Sequence, residues 1–165
     1  MLVIGLDPGT ASTGYGLVRH HSNGQLEAIS YGVISTTAGV PMSTRLLKIF
    51  SELNIVLDNF NPDAAAIEKL YFQKNVSTAI SVGQARGVAM LAFAQAGIEI
   101  EEYSPKEIKL AVSGYGGADK RQIQAMVKIL LDLEKEPKPD DAADALAVAI
   151  CHCHSHKMRN IRGEE

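Results

Sequence analysis

The sequence predicts a mixed α/β fold, a five-stranded sheet with helices on both faces. Three observations lead there. The first third of the chain consists of short β-rich runs separated by turn clusters. From Ser43 the apolar residues fall at helical instead of strand spacing. Beyond that point apolar strands alternate with helices, the pattern that gives parallel strands joined by helical crossovers.

The elements follow in order. LVIGLD, GYGLV and AISYGVI are strand-like and separated by PGTAST and RHHSNG, where Asn23-Gly24 signals a tight turn. Short connections make these three an antiparallel meander. Between Ser43 and Phe60, Leu46, Leu47, Ile49, Phe50, Leu53, Val56 and Leu57 form a helical stripe, stopped by Asn61-Pro62. DAAAIE reads as a short buried strand. Asn75 to Ala96 reads as a long helix, with Asn75 as N-cap and Gly97 as C-cap. IEIEEY is a fifth strand. Ser104-Pro105 opens a short helix, with Ser as cap and Pro in first position. The glycine-rich SGYGGA follows, and Asp119 caps a helix to about Leu131. EKEPKPD is a charged, proline-broken linker, after which Asp140 caps the last helix. Residues 1–156 are expected to form one domain, with a polar, disordered tail over 157–165.

Composition narrows the class. A chain of 165 residues, 46% hydrophobic and 21% charged, fits one soluble domain with a real core. No apolar run approaches the roughly 18 residues of a membrane span. MLVIGL lacks a basic n-region and a cleavage site, so no signal peptide is read and the cytoplasm is expected. Cys151 and Cys153 are too close for an ordinary disulfide, which suits a reducing compartment. The net charge of −3 argues mildly against a nucleic-acid partner. A cluster of metal-holding carboxylates would itself lower that total.

The acids fall at the places where such sheets build sites. Asp7 ends the first strand and Glu68 the fourth, and these two strands are parallel neighbours in this layout. Asp141 and Asp144, three residues apart, share one face of the first turn of the last helix. A helix N-terminus favours such charges by a few tenths to about 1 kcal/mol. Singly, each acid has an ordinary role: Asp7 as a turn residue before Pro8-Gly9, Asp141 and Asp144 as helix-start charges. Glu68, after the wholly apolar AAAI, needs a partner. Together they would repel, and a hard divalent cation, Mg²⁺ or Mn²⁺, relieves that. Two such ions about 3.5–4 Å apart suit in-line displacement at phosphorus.

VIGLDPGTASTGYGLV, AIEKLYFQKNVSTAISVGQARGVA, KLAVSGYGGADKRQIQ and DDAADALAVAICH closely resemble the RuvC-type Holliday junction resolvases, over Leu2 to about His154. The four blocks in this order and spacing are far more specific than any one alone. The resemblance implies an RNase H-like fold and a homodimer. It implies Mg²⁺-dependent, symmetric nicking of four-way DNA junctions that leaves 5′-phosphate and 3′-hydroxyl ends, in recombination and repair. It also implies a preference for a short thymine-containing site and cooperation with a branch-migration motor of the RuvA-RuvB type. The family's acidic ligands fall on Asp7, Glu68, Asp141 and Asp144, with two ions per site. Its loop aromatic falls on Tyr71, beside Phe72, and its basic residues near the site fall on Lys109 and Lys120. Tyr at position 71, where the family has Phe, is a departure, though its ring can still stack on an unpaired base. The pI of about 5.9 is another, since such enzymes are often basic.

The remaining features carry two meanings each. Lys109 and Lys120 suit solvated surface positions or phosphate neutralisation beside a glycine-rich loop; Lys69, Lys74 and Arg86 are further candidates for phosphate contacts. Ala79, Gly83 and Gly87 permit close packing on the sheet or against a second subunit, as a two-fold junction requires. In CHCHSH, His152 and His156 are four apart, but no second pair elsewhere completes a zinc site, so the chemistry is assigned to the acidic end. Two other functions compete. GLDPGTASTGYG also resembles the first phosphate loop of actin-like ATPases, which need two lobes and leave DxxD unexplained. A junction binder that does not cut would gain nothing from four clustered carboxylates.

Overall fold

The computed structural model describes residues 1–70 and 76–162, with side chains described over 1–70 and 79–156. The elements run β1 (Leu2–Asp7), β2 (Ser12–His20), β3 (Leu26–Ser35), α1 (Met42–Phe60), β4 (Ala64–Glu68), α2 (Val76–Gln95), β5 (Glu99–Tyr103), α3 (Pro105–Ser113), α4 (Lys120–Leu130) and α5 (Asp140–Arg162). The sheet order is β3-β2-β1-β4-β5. β1–β2 and β2–β3 pair antiparallel, β1–β4 and β4–β5 parallel, as the sequence predicts.

Strand alternation sorts the core into two layers. Leu2, Ile4 and Leu6 of β1 join Ala65 and Ile67 of β4 against Ile49, Leu53 and Leu57 of α1 and Ala85, Ala89 and Phe93 of α2. Val3 and Ala66, on the opposite face, pack with Leu146 and Ile150 of α5, Ile108 of α3 and Val127 of α4. Asp7 and Glu68 follow Val3 and Ala66 at even spacing, so both belong to the α5 face.

That face brings α5 unusually close to the sheet. A Cβ at Gly5 would overlap the Ala145 carbonyl, one at Gly14 would overlap the Asp141 carbonyl, and one at Gly16 would lie 2.8 Å from Leu146. Glycine is required here for backbone approach. The seam seats the start of α5 beside the end of β1, since Gly14 is the β2 partner of Asp7.

Most predicted boundaries hold. Asn61 closes α1 in a left-handed conformation with φ of 46°, and Gly97, φ of 70°, follows α2. Ser104 with Glu107, and Asp119 with Gln122, form reciprocal capping boxes. Three details differ. β2 begins at Ser12, inside the expected turn, because buried Thr13 pairs with Ile34 and donates its hydroxyl to the Gly9 carbonyl at 2.6 Å. Asp140 is not the cap of α5 but its first residue, since the Pro139 carbonyl accepts from Ala142 and Ala143. α5 continues through Arg162, past the start of the expected disordered tail at Lys157. The expected cap Asn75 and residues 163–165 lie outside the described residues.

Candidate active site

Asp7 reaches the α5 face at the last position of β1, and Asp141 and Asp144 meet it from the first turns of α5. One carboxylate oxygen from each lies within 4.8 Å of the others, and all three residues are half-buried. Glu68 stands alongside. It lines a cavity of about 230 Å³ together with Asp144, Lys109, Lys120, Pro105, Ile108 and Ile123. Three acids therefore form the tight group, and Glu68 flanks it on the cavity wall.

The electrostatics follow from this crowding. Burial, then the charges of Asp144, Asp141 and Glu68, push the Asp7 carboxyl up to about 7, with Lys120 offsetting part of the effect. Burial and the Asp144 charge also raise Glu68, against a lowering pull from Lys109. Asp144 is raised, by burial first, although Lys120 opposes the shift. Near neutral pH the site therefore retains protons that an isolated carboxylate would lose. The lysines beside it, Lys120 and Lys109, do not offset the burial and crowding of these carboxylates.

Lys120 opens α4 and sits between two carboxylates. Its Nζ is 3.1 Å from Asp144 Oδ2 and 3.4 Å from Asp140 Oδ2. Burial alone would lower its pKa, but the contacts with Asp144 and Asp140 outweigh that and raise it. Asp140 in turn accepts from Lys138 at 3.0 Å. Lys109 and Lys120 thus enter the cavity from the two helices that flank the glycine-rich loop. Arg86 is engaged within the fold. It pairs with Glu102 at 2.7 Å and contacts Met90 Sδ at 3.1 Å, with its side chain only 17% exposed, and so ties α2 to β5. Tyr71, Phe72 and Lys74 lie outside the described residues.

The Cys/His end of α5 is used for packing. Cys151 and Cys153 are buried, and burial pushes both thiols up to about 12. Buried His152 shares a hydrogen bond through Nδ1 with the Tyr103 hydroxyl at 3.1 Å, and His154 Nδ1 donates to the Ala111 carbonyl at 2.9 Å. His152 also stacks on His156. Among the described residues the acidic group is the one cluster with metal-ligand geometry. Its donors are all carboxylate oxygens, the chemistry that holds a hard divalent cation. Sequence reasoning missed Asp140 and the apolar cavity wall. Asp140 was visible only as a helix-start acid, and the wall joins residues from three helices with no shared motif.

Comparison with known proteins bears on the family of this chain. Residues 3–152 match the family model described as crossover junction endodeoxyribonuclease RuvC. A protein of that name from Chloroflexus aurantiacus is 54% identical over 133 residues, covering 81% of this chain and 80% of its own. The Thermus thermophilus RuvC structure superposes with a TM-score of 0.89 at 33% identity, covering 96% of both chains. T. thermophilus RuvC in complex with a Holliday junction substrate gives 0.88 at 30% identity.

Proposed function

The chain belongs to the RuvC family of crossover junction endodeoxyribonucleases, and from that premise we propose that Asp7, Glu68, Asp141 and Asp144 carry out its hydrolysis of phosphodiester bonds in Holliday junctions. The observation that carries this is the convergence of Asp7, Asp141 and Asp144 within 4.8 Å, with the Asp7 carboxyl raised to about 7 by burial first and then by its acidic neighbours. The family implies a divalent metal, and the donor set fits one. Asp7, Asp141 and Asp144 would hold it, with Glu68 beside them; Mg²⁺ is the ion we propose, two per site, with Mn²⁺ as a substitute. When bound, such an ion supplies Lewis acidity to the phosphate and makes water nucleophilic near neutral pH.

The protein groups do the rest. The carboxylates fix the reacting centre at the end of β1, on an edge where backbone and helix start are both rigid. Lys109 and Lys120 lie on the cavity wall with Glu68 and Asp144, where they neutralise a phosphate flanking the scissile bond. Water adds to phosphorus, the bond to the 3′ oxygen breaks, and a 5′-phosphate and a 3′-hydroxyl remain. Tyr71 or Phe72 stacks on an unpaired base. Residues 1–156 act as one nuclease domain in the cytoplasm, paired as a homodimer and served by a RuvA-RuvB-type motor. Support for the dimer comes from α2, where Ile80 is 57% and Leu91 60% exposed, and nothing lies within 4 Å of a Cβ placed at Gly83 or Gly87.

A labelled four-way junction with a movable crossover, incubated with Mg²⁺ beside linear duplex, tests the whole. Paired nicks at matching positions on opposite strands are expected, absent from duplex and from Asp7→Asn. Folded protein that binds the junction but leaves it intact with both Mg²⁺ and Mn²⁺ would refute the catalytic assignment.

A further inference from the structure

Lys120 stands in the way of the metal that the proposed function requires. Its ammonium is 3.1 Å from Asp144 Oδ2, an oxygen of the same carboxylate that joins Asp7 and Asp141 in the ligand cluster. An ammonium and a divalent cation compete for that carboxylate. A lysine released into solvent would also be lost to the phosphate it should neutralise, because a long side chain regains rotamer freedom when unpaired.

Asp140 offers the alternative. Its Oδ2 is 3.4 Å from the same Nζ, so Lys120 already touches both acids. The other oxygen, Oδ1, is held by Lys138 at 3.0 Å. Gln124, buried on α4, lies near enough to Asp140 to act on its carboxylate. The Gln124 Nε2 has no hydrogen-bond partner within bonding distance among the described residues, so a small shift of Asp140 would satisfy it. Asp140 stands outside the group of three acids whose oxygens gather within 4.8 Å. It is therefore free to keep a lysine when that group takes a cation.

We propose that Asp140 is a positioning residue that takes Lys120 over from Asp144 as the metal binds, and holds the ammonium at the rim of the cavity for the phosphate. Metal entry and lysine transfer are then one exchange between two carboxylates on the same helix. This rests on the metal-binding role of Asp7, Asp141 and Asp144 set out above.

The test is Mn²⁺ binding to the full chain without DNA, read from the electron paramagnetic resonance signal of free Mn²⁺. Five proteins are compared: wild type, Asp140→Asn, Asp140→Glu, Lys120→Gln and the Asp140→Asn/Lys120→Gln double variant. Lys120→Gln, which removes the competitor, should bind Mn²⁺ more tightly than wild type. Asp140→Asn should weaken binding roughly threefold or more with Lys120 present and at most half as much in the Lys120→Gln background, the scale set by an exposed ion pair. Asp140→Glu should restore wild-type affinity. A long-range charge effect alone would give the same factor in both backgrounds. That result, or an Asp140→Asn affinity no weaker than wild type, overturns the positioning role. Absence of Mn²⁺ binding in the wild type would instead overturn the metal site itself.

Discussion

Asp7→Asn should abolish nicking and stabilise the metal-free protein. The carboxyl of Asp7 is raised from an ordinary 3.8 to about 7, by burial first and then by its acidic neighbours. At about 1.4 kcal/mol per pH unit, that interval is on the order of 4 kcal/mol against the folded state once Asp7 is ionised. The sign follows from proton counts. Between pH 3.8 and about 7 the unfolded chain has released a proton that the folded chain keeps, so stability falls as pH rises through that window and levels off above it. Asparagine escapes the ionisation but still carries a polar amide, whose desolvation returns roughly 1–3 kcal/mol. A net gain of about 2 kcal/mol remains at pH 8, or about 4–8 °C in Tm for a chain of this size. Thermal unfolding in EDTA at pH 8 and pH 5 reads it directly. At pH 5 the ionisation cost falls to about 1.6 kcal/mol, which the amide's desolvation offsets, so the advantage of the variant should vanish there, and saturating Mg²⁺ should raise the wild-type Tm more than the variant's. A variant no more stable than wild type at pH 8 in EDTA, or equally favoured at both pH values, would refute the idea that the acids are held together against their own repulsion.

Three further outcomes are expected. Gly14→Ala forces a methyl into the Asp141 carbonyl, so it should lower stability by at least about 1–3 kcal/mol and weaken Mn²⁺ binding by displacing the start of α5; unchanged metal affinity would show that the seam does not set the ligand geometry. Tyr103→Phe removes the 3.1 Å bond to His152 and should lower stability by about 1 kcal/mol, with the single-turnover nicking rate unchanged; a slower rate would tie the Cys/His end of α5 to the chemistry. Leu91→Glu, on the exposed face of α2, should halve the mass seen by light scattering and uncouple the two nicks, whereas a wild-type mass would place the subunit contact elsewhere.

The sequence placed the four acids more readily than their wiring. Asp7, Glu68 and the Asp141/Asp144 pair each stand at the end or start of a strongly patterned element, where period-two alternation and helical spacing place a side chain without knowledge of contacts. The caps at Ser104 and Asp119 were legible for the same local reason. Contacts between distant segments were not. The Lys138–Asp140–Lys120–Asp144 chain joins α4 to the start of α5, and nothing in either segment alone marks the pairing. Ser12 and Thr13 resemble turn residues, yet pairing with β3 draws them into β2. The end of α5 was misjudged because Lys157 to Arg162 lacks an apolar period, while a helix already nucleated and packed propagates cheaply into polar sequence.

The glycines of β1 and β2 explain how one helix start can serve a site made by two strands. Carboxylates must gather within a few ångströms to hold a cation, but helices ordinarily stand about 10 Å from a sheet, measured axis to plane, because side chains intervene. At Gly5, Gly14 and Gly16 those side chains are missing, and the backbone of α5 from Asp141 to Ala149 descends onto the sheet. The cost is the conformational entropy of three glycines in strands. The return is that Asp141 and Asp144 are placed by backbone contact instead of by flexible side chains. Rigid placement of this kind lets three acids, one of them raised to about 7, stay gathered without splaying apart. The glycine seam, as much as the acids, therefore shapes the proposed site.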